Sequence, residues 1–176
     1  AVKVLQSISF IPTIFVGPAP PVKKILLGVD ASACSMEASE FIGSFLGGKG
    51  YEICIFHAIM GLGKINFEEP DDTRPELPEE EISATGIEVF KLKIAHMVQD
   101  IKDRLLASGF EPEKVSEKIV SGVYSRSEAI VREAEEGGFG TIVVGRRGLS
   151  KVAAFFMGRV GHKVVYGGKQ FTVWVV

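Results

Sequence analysis

Near its end the chain reads Thr141-Ile-Val-Val-Gly145-Arg-Arg-Gly148-Leu-Ser-Lys-Val-Ala-Ala-Phe-Phe-Met-Gly158-Arg159, and the rest of the sequence is best interpreted from this stretch. Its first four residues are apolar or β-branched and predict a short buried strand. The three glycines let the backbone approach a ligand closely and turn its N–H groups into a cavity. A helix beginning beside that cavity adds about half a positive charge, which suits a phosphate.

The charge pattern around this stretch also favours an anion. From Gly137 onward there is no Asp or Glu, whereas six basic residues are present, namely Arg146, Arg147, Lys151, Arg159, Lys163 and Lys169. A segment of one charge sign raises the local concentration of anions. The alternative is a turn that binds nothing, because a Gly-x-x-Gly spacing alone is a weak signal.

Length, charge and residue content exclude several classes of protein. The 176 residues suit one domain, and the net charge of −2 does not indicate binding to nucleic acid or to a membrane surface. Cys34 and Cys54 form no zinc spacing, which favours a reducing, cytoplasmic setting over a disulfide scaffold. No apolar run reaches the roughly 20 residues of a membrane span, and we predict no signal peptide. The histidines lack metal-ligand spacing, so we predict no metal site.

Strand and helix patterns alternate after a separate N-terminal segment. Residues 1–22 form a β-rich segment plus a Pro-rich linker, and residues 23–176 form the predicted domain, with an acidic, Pro-rich surface loop at about 61–81. The alternation of strands and helices in this domain predicts an α/β fold. We expect a five-stranded parallel sheet in Rossmann-like or flavodoxin-like order, with helices on both faces. The predicted strands are 23–29, 52–59, 115–121, 141–144 and 171–176. The predicted helices are about 34–46, a long helix that follows the acidic loop and ends at about 106, 125–134 and 158–166.

In such a sheet, ligands bind beyond the carboxyl ends of the strands, where the strand order reverses. We expect the flavodoxin-like order to bring the ends of the first and fourth strands to one crevice. Asp30 ends the first of these strands and Gly145 follows the fourth. A carboxylate, able to accept hydrogen bonds from ribose hydroxyls or an adenine amine, would then face a glycine-rich cradle for phosphates.

Three features resemble the universal stress protein family, over roughly Lys23 to Val176. Residues 24–32, Lys-Ile-Leu-Leu-Gly-Val-Asp-Ala-Ser, are similar to the family's opening strand and its Val-Asp-x-Ser ending. Residues 142–149, Ile-Val-Val-Gly-Arg-Arg-Gly-Leu, resemble its Val-Gly-Ser-Arg-Gly-Leu segment. The glycines at 145, 148 and 158 resemble its ATP signature, Gly-x-x-Gly, nine residues, then Gly-Ser/Thr. The resemblance implies a Rossmann-related fold, a homodimer through paired last strands, and an ATP site.

The resemblance implies a nucleotide site, for ATP, AMP or ADP with or without Mg²⁺, at positions that can be carried over one by one. Asp30 would meet the ribose or the adenine, with Ala31 and Ser32 beside it. The positions for the adenine slot are Ala58 and Ile59, those bordering the sugar are Val144 and Gly145, and those holding the phosphates are Gly148, Gly158, Arg159 and Val160. Arg147 is a further position of the nucleotide site.

Arg159 departs from the family pattern, because ATP-binding members carry Ser or Thr at that position. Its guanidinium could bind phosphate bidentately, or it could fill the pocket and exclude the ligand. Two functions therefore stay open: an adenine-nucleotide-binding stress-response protein with a regulatory role, and a dimeric interaction module that has lost the nucleotide. We predict no catalytic residues and at most weak ATP hydrolysis, since neither a positioned base nor a metal site is evident.

The N-terminal segment Phe10-Ile-Pro-Thr-Ile-Phe-Val16 resembles the last strand of a preceding domain of the same family. We predict that it lies antiparallel beside Phe171–Val176, where it would occupy or extend the dimer edge. Without such a partner, the alternating apolar face of Phe171, Val173 and Val175 would be an exposed, adhesive edge.

Overall fold

A computed structural model of the chain describes residues 11–18, 21–61, 84–146 and 159–176, with side chains in the third range described from residue 89. The described strands are β1 (Thr13–Phe15), β2 (Lys24–Gly28), β3 (Glu52–Met60), β4 (Val115–Val123), β5 (Thr141–Val144) and β6 (Thr172–Val175). The described helices are α1 (Ala33–Leu46), α2 (Ala84–Ala107), α3 (Arg126–Glu136) and α4 (Arg159–Gly167), with a 3₁₀ turn at Pro112–Lys114. The acidic loop predicted at about 61–81 lies outside the described residues except for Gly61.

The strands form one mixed sheet of six strands in the order β1-β6-β5-β2-β3-β4. The α/β class is confirmed, but the predicted sheet of five parallel strands is incomplete, because β1 adds a sixth strand antiparallel to β6. The five parallel strands, numbered in chain order, run 3-2-1-4-5, which is the Rossmann order. The flavodoxin-like alternative is therefore wrong. The expected contact between the first and fourth parallel strands is nevertheless present, because β2 pairs with β5.

The strand order reverses because the helices change faces of the sheet. Apolar side chains of α1 and α2 pack with one buried cluster, and those of α3 and α4 pack with the other. Right-handed crossovers carry the chain from β2 to β4 in one direction over the first face. The same handedness over the second face carries it back past β2 to β5 and β6. The switch point of the sheet therefore lies between β2 and β5.

Both faces of the sheet are covered, which accounts for the continuous apolar strands. In β2, Leu26 belongs to the cluster under α3 and α4, whereas Ile25 and Leu27 belong to the cluster under α1 and α2. All three side chains are fully buried. A strand with no solvent-facing side can keep apolar residues at successive positions.

The predicted position of the N-terminal segment is confirmed. Thr13 pairs with Val175 and Phe15 with Val173, antiparallel. Arg146, only 5% exposed, fixes this segment from the other side of β6. Its Nη2 donates to the carbonyl oxygen of Ile11 at 2.5 Å and to Thr13 Oγ1 at 3.3 Å. Arg146 thus holds β1, and its charge is not displayed on an exposed basic surface as the sequence suggested.

Among the described residues, no helix is long and apolar enough to cross a membrane.

Candidate functional site

Several predicted site residues lie at one end of the sheet, as the register of the parallel strands shows. Gly28 of β2 is opposite Phe56 of β3 on one side and Val144 of β5 on the other. Asp30 lies two residues beyond Gly28, and Ala58 lies two residues beyond Phe56. The carboxyl ends of β2, β3 and β5 are therefore nearly level, at the switch point where ligands bind in this type of sheet.

The Asp30 carboxylate is held by the turn that leads into α1. Its Oδ1 accepts hydrogen bonds from the Ser32 N–H at 3.1 Å, from Ser35 Oγ at 2.9 Å, and from the Ser32 hydroxyl. The Asp30 N–H in turn donates to Ser35 Oγ at 2.8 Å. Within the described part of the chain, these side-chain bonds all use Oδ1. The second oxygen, Oδ2, accepts none of these bonds.

Ser32 and Ser35 lie at the start of α1, where short hydroxyl side chains commonly cap a helix. Ser32 occupies the N-cap position, but its side chain makes no capping hydrogen bond. Its hydroxyl donates to Asp30 instead, and Ser35, in the first helical turn, does the same. A short hydroxyl side chain can bond to a neighbouring acceptor or cap a helix, and here the carboxylate competes successfully. The serines thus orient Asp30.

Gly145 has a packing role that the sequence did not indicate. A Cβ atom at this position would lie 2.9 Å from the Cβ of Cys34 and 3.1 Å from its carbonyl oxygen. Only glycine allows the end of β5 to pack this closely against the first turn of α1. Gly145 therefore brings the carboxyl end of β5 against the N-terminal turn of α1.

The remaining predicted residues are placed as follows. Val144 is buried at the end of β5, Ala58 is buried in β3, Ile59 is partly buried next to it, and Ala31 is exposed. Arg159 and Val160, both partly buried, open α4, and Val160 packs against the cluster under α3 and α4. Arg147, Gly148 and Gly158 lie outside the described residues, so the assignment of phosphate contacts stays a prediction.

His57 is buried at the same end of β3, with 4% of its surface exposed. Its Nδ1 lies 2.7 Å from the carbonyl oxygen of Val29. Because a carbonyl oxygen only accepts, Nδ1 carries the proton and donates, and Nε2 is left with a bare lone pair. Burial lowers the pKa of His57, and the charge of Arg126 lowers it further, although the bond to Val29 opposes both effects. The ring is therefore neutral at pH 7.

Arg126 is not among the predicted site residues, and it lies within the sequence Ser125-Arg-Ser-Glu128, which is typical of a helix capping box. That pattern is confirmed in part, because Ser125 Oγ accepts from the Glu128 N–H at 3.4 Å. Arg126 is the first residue of α3, and burial lowers its pKa while the charge of Asp30 opposes the shift. A cation at a helix N-terminus is unfavourable for the helix dipole, and this could have marked the residue.

The titratable groups at this end of the sheet form a small electrostatic group of Asp30, His57 and Arg126. The charge of Asp30 acts to raise the pKa of both basic side chains, and the charge of Arg126 acts to lower the pKa of His57. No cluster of three or more metal-ligating side chains is found in the described part of the chain. Among the described residues, this group combines one carboxylate with two basic side chains at the carboxyl end of the sheet.

Comparisons with known proteins identify a matching family and several solved structures of similar fold. Residues 21–176 match the Universal stress protein family. The solved structure of the hypothetical protein MJ0577 is similar with a TM-score of 0.66 and 26% identity, over 88% of this chain and 94% of that chain. A universal stress protein in complex with cAMP is similar with a TM-score of 0.58 and 23% identity, over 87% of this chain and 95% of that chain.

UspA from Lactobacillus plantarum is similar with a TM-score of 0.58 and 18% identity, over 87% of this chain and 96% of that chain. A search of curated proteins finds no match. The family match covers all the parallel strands and all four described helices. The chain therefore belongs to the universal stress protein family.

Proposed function

We propose that this protein binds an adenine nucleotide, ATP or its di- or monophosphate, at the carboxyl end of the sheet, as a regulatory ligand in a stress response. The observation that carries the proposal is the serine-held carboxylate of Asp30, placed at the switch point with Oδ2 able to accept from a ribose or a base. The structurally similar universal stress protein in complex with cAMP supports an adenine nucleotide as the ligand class.

The ligand would extend across the switch point. Its sugar would lie near Asp30 and Gly145, its base on the β3 side near Ala58 and Ile59, and its phosphates toward the glycine segment that follows β5. This direction follows from charge, because residues 137–176 contain no acidic side chain. Arg159 begins α4 on the phosphate side, where a bidentate contact is the role we assign to it. Mg²⁺ would enter with the phosphates.

The alternative is an interaction module without nucleotide, and one observation bears on it. The homodimer implied by the family resemblance would pair the last strands of two copies, but β6 already pairs with β1. Two copies can meet at this edge only by adding to β1 or by displacing it. We propose the first arrangement for the homodimer, because it preserves the hydrogen bonds of Arg146 to the N-terminal segment.

Titration calorimetry with ATP and Mg²⁺ tests the nucleotide proposal. We expect wild type to bind, and Gly148→Val to weaken binding by at least about tenfold, since a side chain would keep the backbone from the phosphates. Gly167→Ala is the matched control, because among the described residues its Cβ would meet Val131 Cγ2 at an ordinary 3.7 Å and nothing closer. Absence of heat from wild type would leave the interaction module as the better description.

Arg159→Ser restores the family residue and separates the two roles of Arg159. If the guanidinium binds phosphate, we expect serine to weaken ATP binding by about tenfold, the loss of one charge-assisted contact. Tighter binding by Arg159→Ser would instead identify the arginine as an obstruction of the phosphate pocket. Light scattering of the same samples reports the oligomeric state with and without ATP.

A further inference from the structure

Arg146 belongs both to the segment proposed to bind the nucleotide and to the anchor of the N-terminal segment, residues 11–16. In the sequence it directly follows Gly145, the position expected to border the sugar, and lies at the start of the glycine segment proposed for the phosphates. Its side chain is only 5% exposed, and its Nη2 donates to the Ile11 carbonyl oxygen at 2.5 Å and to Thr13 Oγ1 at 3.3 Å. One residue therefore contributes its backbone to the candidate site and its side chain to the docking of β1.

The strand register shows how far the side chain of Arg146 reaches. Val144 of β5 pairs with Val175 of β6, and Val175 pairs with Thr13 of β1, so the three strands are level at this end of the sheet. Because neighbouring strands lie about 4.8 Å apart, β5 and β1 are separated by about 10 Å. Only a long side chain can cross the end of β6 over this distance.

The backbone of Arg146 is held at the same edge of the sheet. Its N–H donates to the Val176 carbonyl oxygen at 2.5 Å, and the Val176 N–H donates to the Val144 carbonyl oxygen at 3.1 Å. If the N-terminal segment leaves, the guanidinium loses the acceptors on Ile11 and Thr13. Arg146 then regains conformational freedom at the point where the phosphate segment begins.

We infer that Arg146 is a positioning residue through which the docking of β1 and the binding of a nucleotide strengthen each other. While β1 is docked, Arg146 is already ordered, so the ligand does not have to order it. Fixing the backbone of one residue corresponds to about a 5- to 30-fold change in an equilibrium, and we expect an effect of about tenfold on ATP affinity. Linkage requires the reverse effect to be equal, so ATP favours docked β1 by the same factor. The inference rests on the proposed function and adds its regulation by the N-terminal segment.

Amide hydrogen exchange on the wild-type chain measures this linkage without any substitution. Exchange in β1 reports how often this edge strand opens from β6. We expect saturating ATP with Mg²⁺ to slow exchange in β1 by about tenfold. β4 is the internal control, because it forms the opposite edge of the sheet, and its exchange should change less. Equal exchange of β1 with and without ATP, in protein that binds ATP, would overturn the inference while leaving the proposed function standing.

Calorimetry of four variants tests the two sides of the contact. Arg146→Met keeps most of the length and removes the donors, so we expect ATP to bind about tenfold more weakly, whereas Arg146→Lys keeps one donor group and should lose less. Phe15 packs against the cluster under α3 and α4, so Phe15→Asn should undock β1 and weaken ATP binding by about tenfold as well. Val16→Asn, at a position that is 82% exposed in the same segment, is the matched control.

A double variant shows whether the two changes act by one route. Arg146→Met with Phe15→Asn should bind ATP about as weakly as either single variant, because each removes the same support. Losses that multiply to about a hundredfold would show that β1 acts on the site without Arg146, and would overturn the inference.

Two other outcomes would also be decisive. If β1 exchanges like a free peptide in Phe15→Asn and ATP affinity is unchanged, the docking of β1 does not support the site and the inference is wrong. A loss found in Arg146→Met would then reflect the charge of the guanidinium. No binding of ATP to wild type would overturn both the inference and the proposed function. Circular dichroism of each variant verifies folding, and the exchange experiment on wild type needs no variant at all.

Discussion

Replacing Gly145 by alanine tests how tightly the end of β5 packs against α1. The new Cβ would lie 2.9 Å from Cys34 Cβ and 3.1 Å from the backbone carbon and oxygen of Cys34. Real Cβ atoms essentially never approach other heavy atoms more closely than 3.0 Å, so the strand end and the helix must move apart. Since part of the obstacle is backbone, a rotamer change of Cys34 cannot relieve it.

The expected loss of stability follows from two opposing effects. Overpacking of this kind typically costs about 1–3 kcal/mol. Alanine also restricts the unfolded chain, which returns about 0.4–1 kcal/mol. Gly145 is not among the described glycines with positive φ, so no backbone strain is added. We therefore expect a net destabilisation of about 1–2 kcal/mol, or a fall in Tm of about 2–8 °C for a chain of this size.

Urea unfolding measures this difference, with Gly167→Ala as the glycine control whose Cβ has room. Cys34→Gly removes the side chain whose Cβ lies 2.9 Å from the new methyl group, but it leaves the backbone contacts in place. In the Cys34→Gly background, Gly145→Ala should therefore lower the unfolding free energy by less than it does in wild type, but still by more than Gly167→Ala does. Cys34→Ala retains the Cβ and should recover nothing. An unfolding free energy of Gly145→Ala within about 0.5 kcal/mol of wild type would refute the packing argument, because surface-like changes stay within that range.

Two further predictions concern β1 and His57. Trp174 is the one tryptophan of the sequence and pairs with Ile14 of β1, so deletion of residues 1–16 should red-shift its fluorescence. Arg146→Ala should shift it in the same direction by a smaller amount, whereas an unchanged spectrum in the deletion variant would mean that β1 is undocked in solution. Because the pKa of His57 is lowered by folding, the unfolded chain binds more protons below about pH 6.5, and the stabilisation by neutral His57 is fully present only above that pH. Urea unfolding should show stability falling as pH drops below about 6.5, with a smaller fall in His57→Asn than in His96→Asn; equal slopes would contradict the assignment.

Much of the fold is predictable from local pattern. Residues 141–144 are apolar or β-branched and bounded by glycine, and the structure has the same strand. The strand order was harder to predict from the sequence, because it depends on which face of the sheet each helix covers. The apolar faces of the helices do not specify this until the whole sheet is assembled. The antiparallel β1 could be predicted because the edge of β6 needed a partner.

The placement of the candidate site residues was predictable where a residue's position along a strand fixes its place in the fold. Asp30 and Ala58 lie at strand ends, and parallel pairing brings such ends together. Arg126 and Arg146 were misread for a different reason. Their surroundings depend on the folded chain: Arg126 is partly buried and its pKa responds to the charge of Asp30, and Arg146 donates to the carbonyl oxygen of Ile11. A count of basic residues treats Arg146 as surface charge, yet the side chain is only 5% exposed.

The pairing of β1 with β6 places a competitor for the sheet edge on the same polypeptide. A short linker, residues 17–21, joins the two parts of the chain, so β1 meets β6 at an effective concentration on the order of millimolar. A second copy present at micromolar concentration would have to overcome a disadvantage of roughly a thousandfold to displace it. Tethering alone therefore suppresses a direct exchange of strands between copies. Loss of the hydrogen bond from Arg146 to Ile11 would weaken the docking of β1 and so change the affinity of one copy for another.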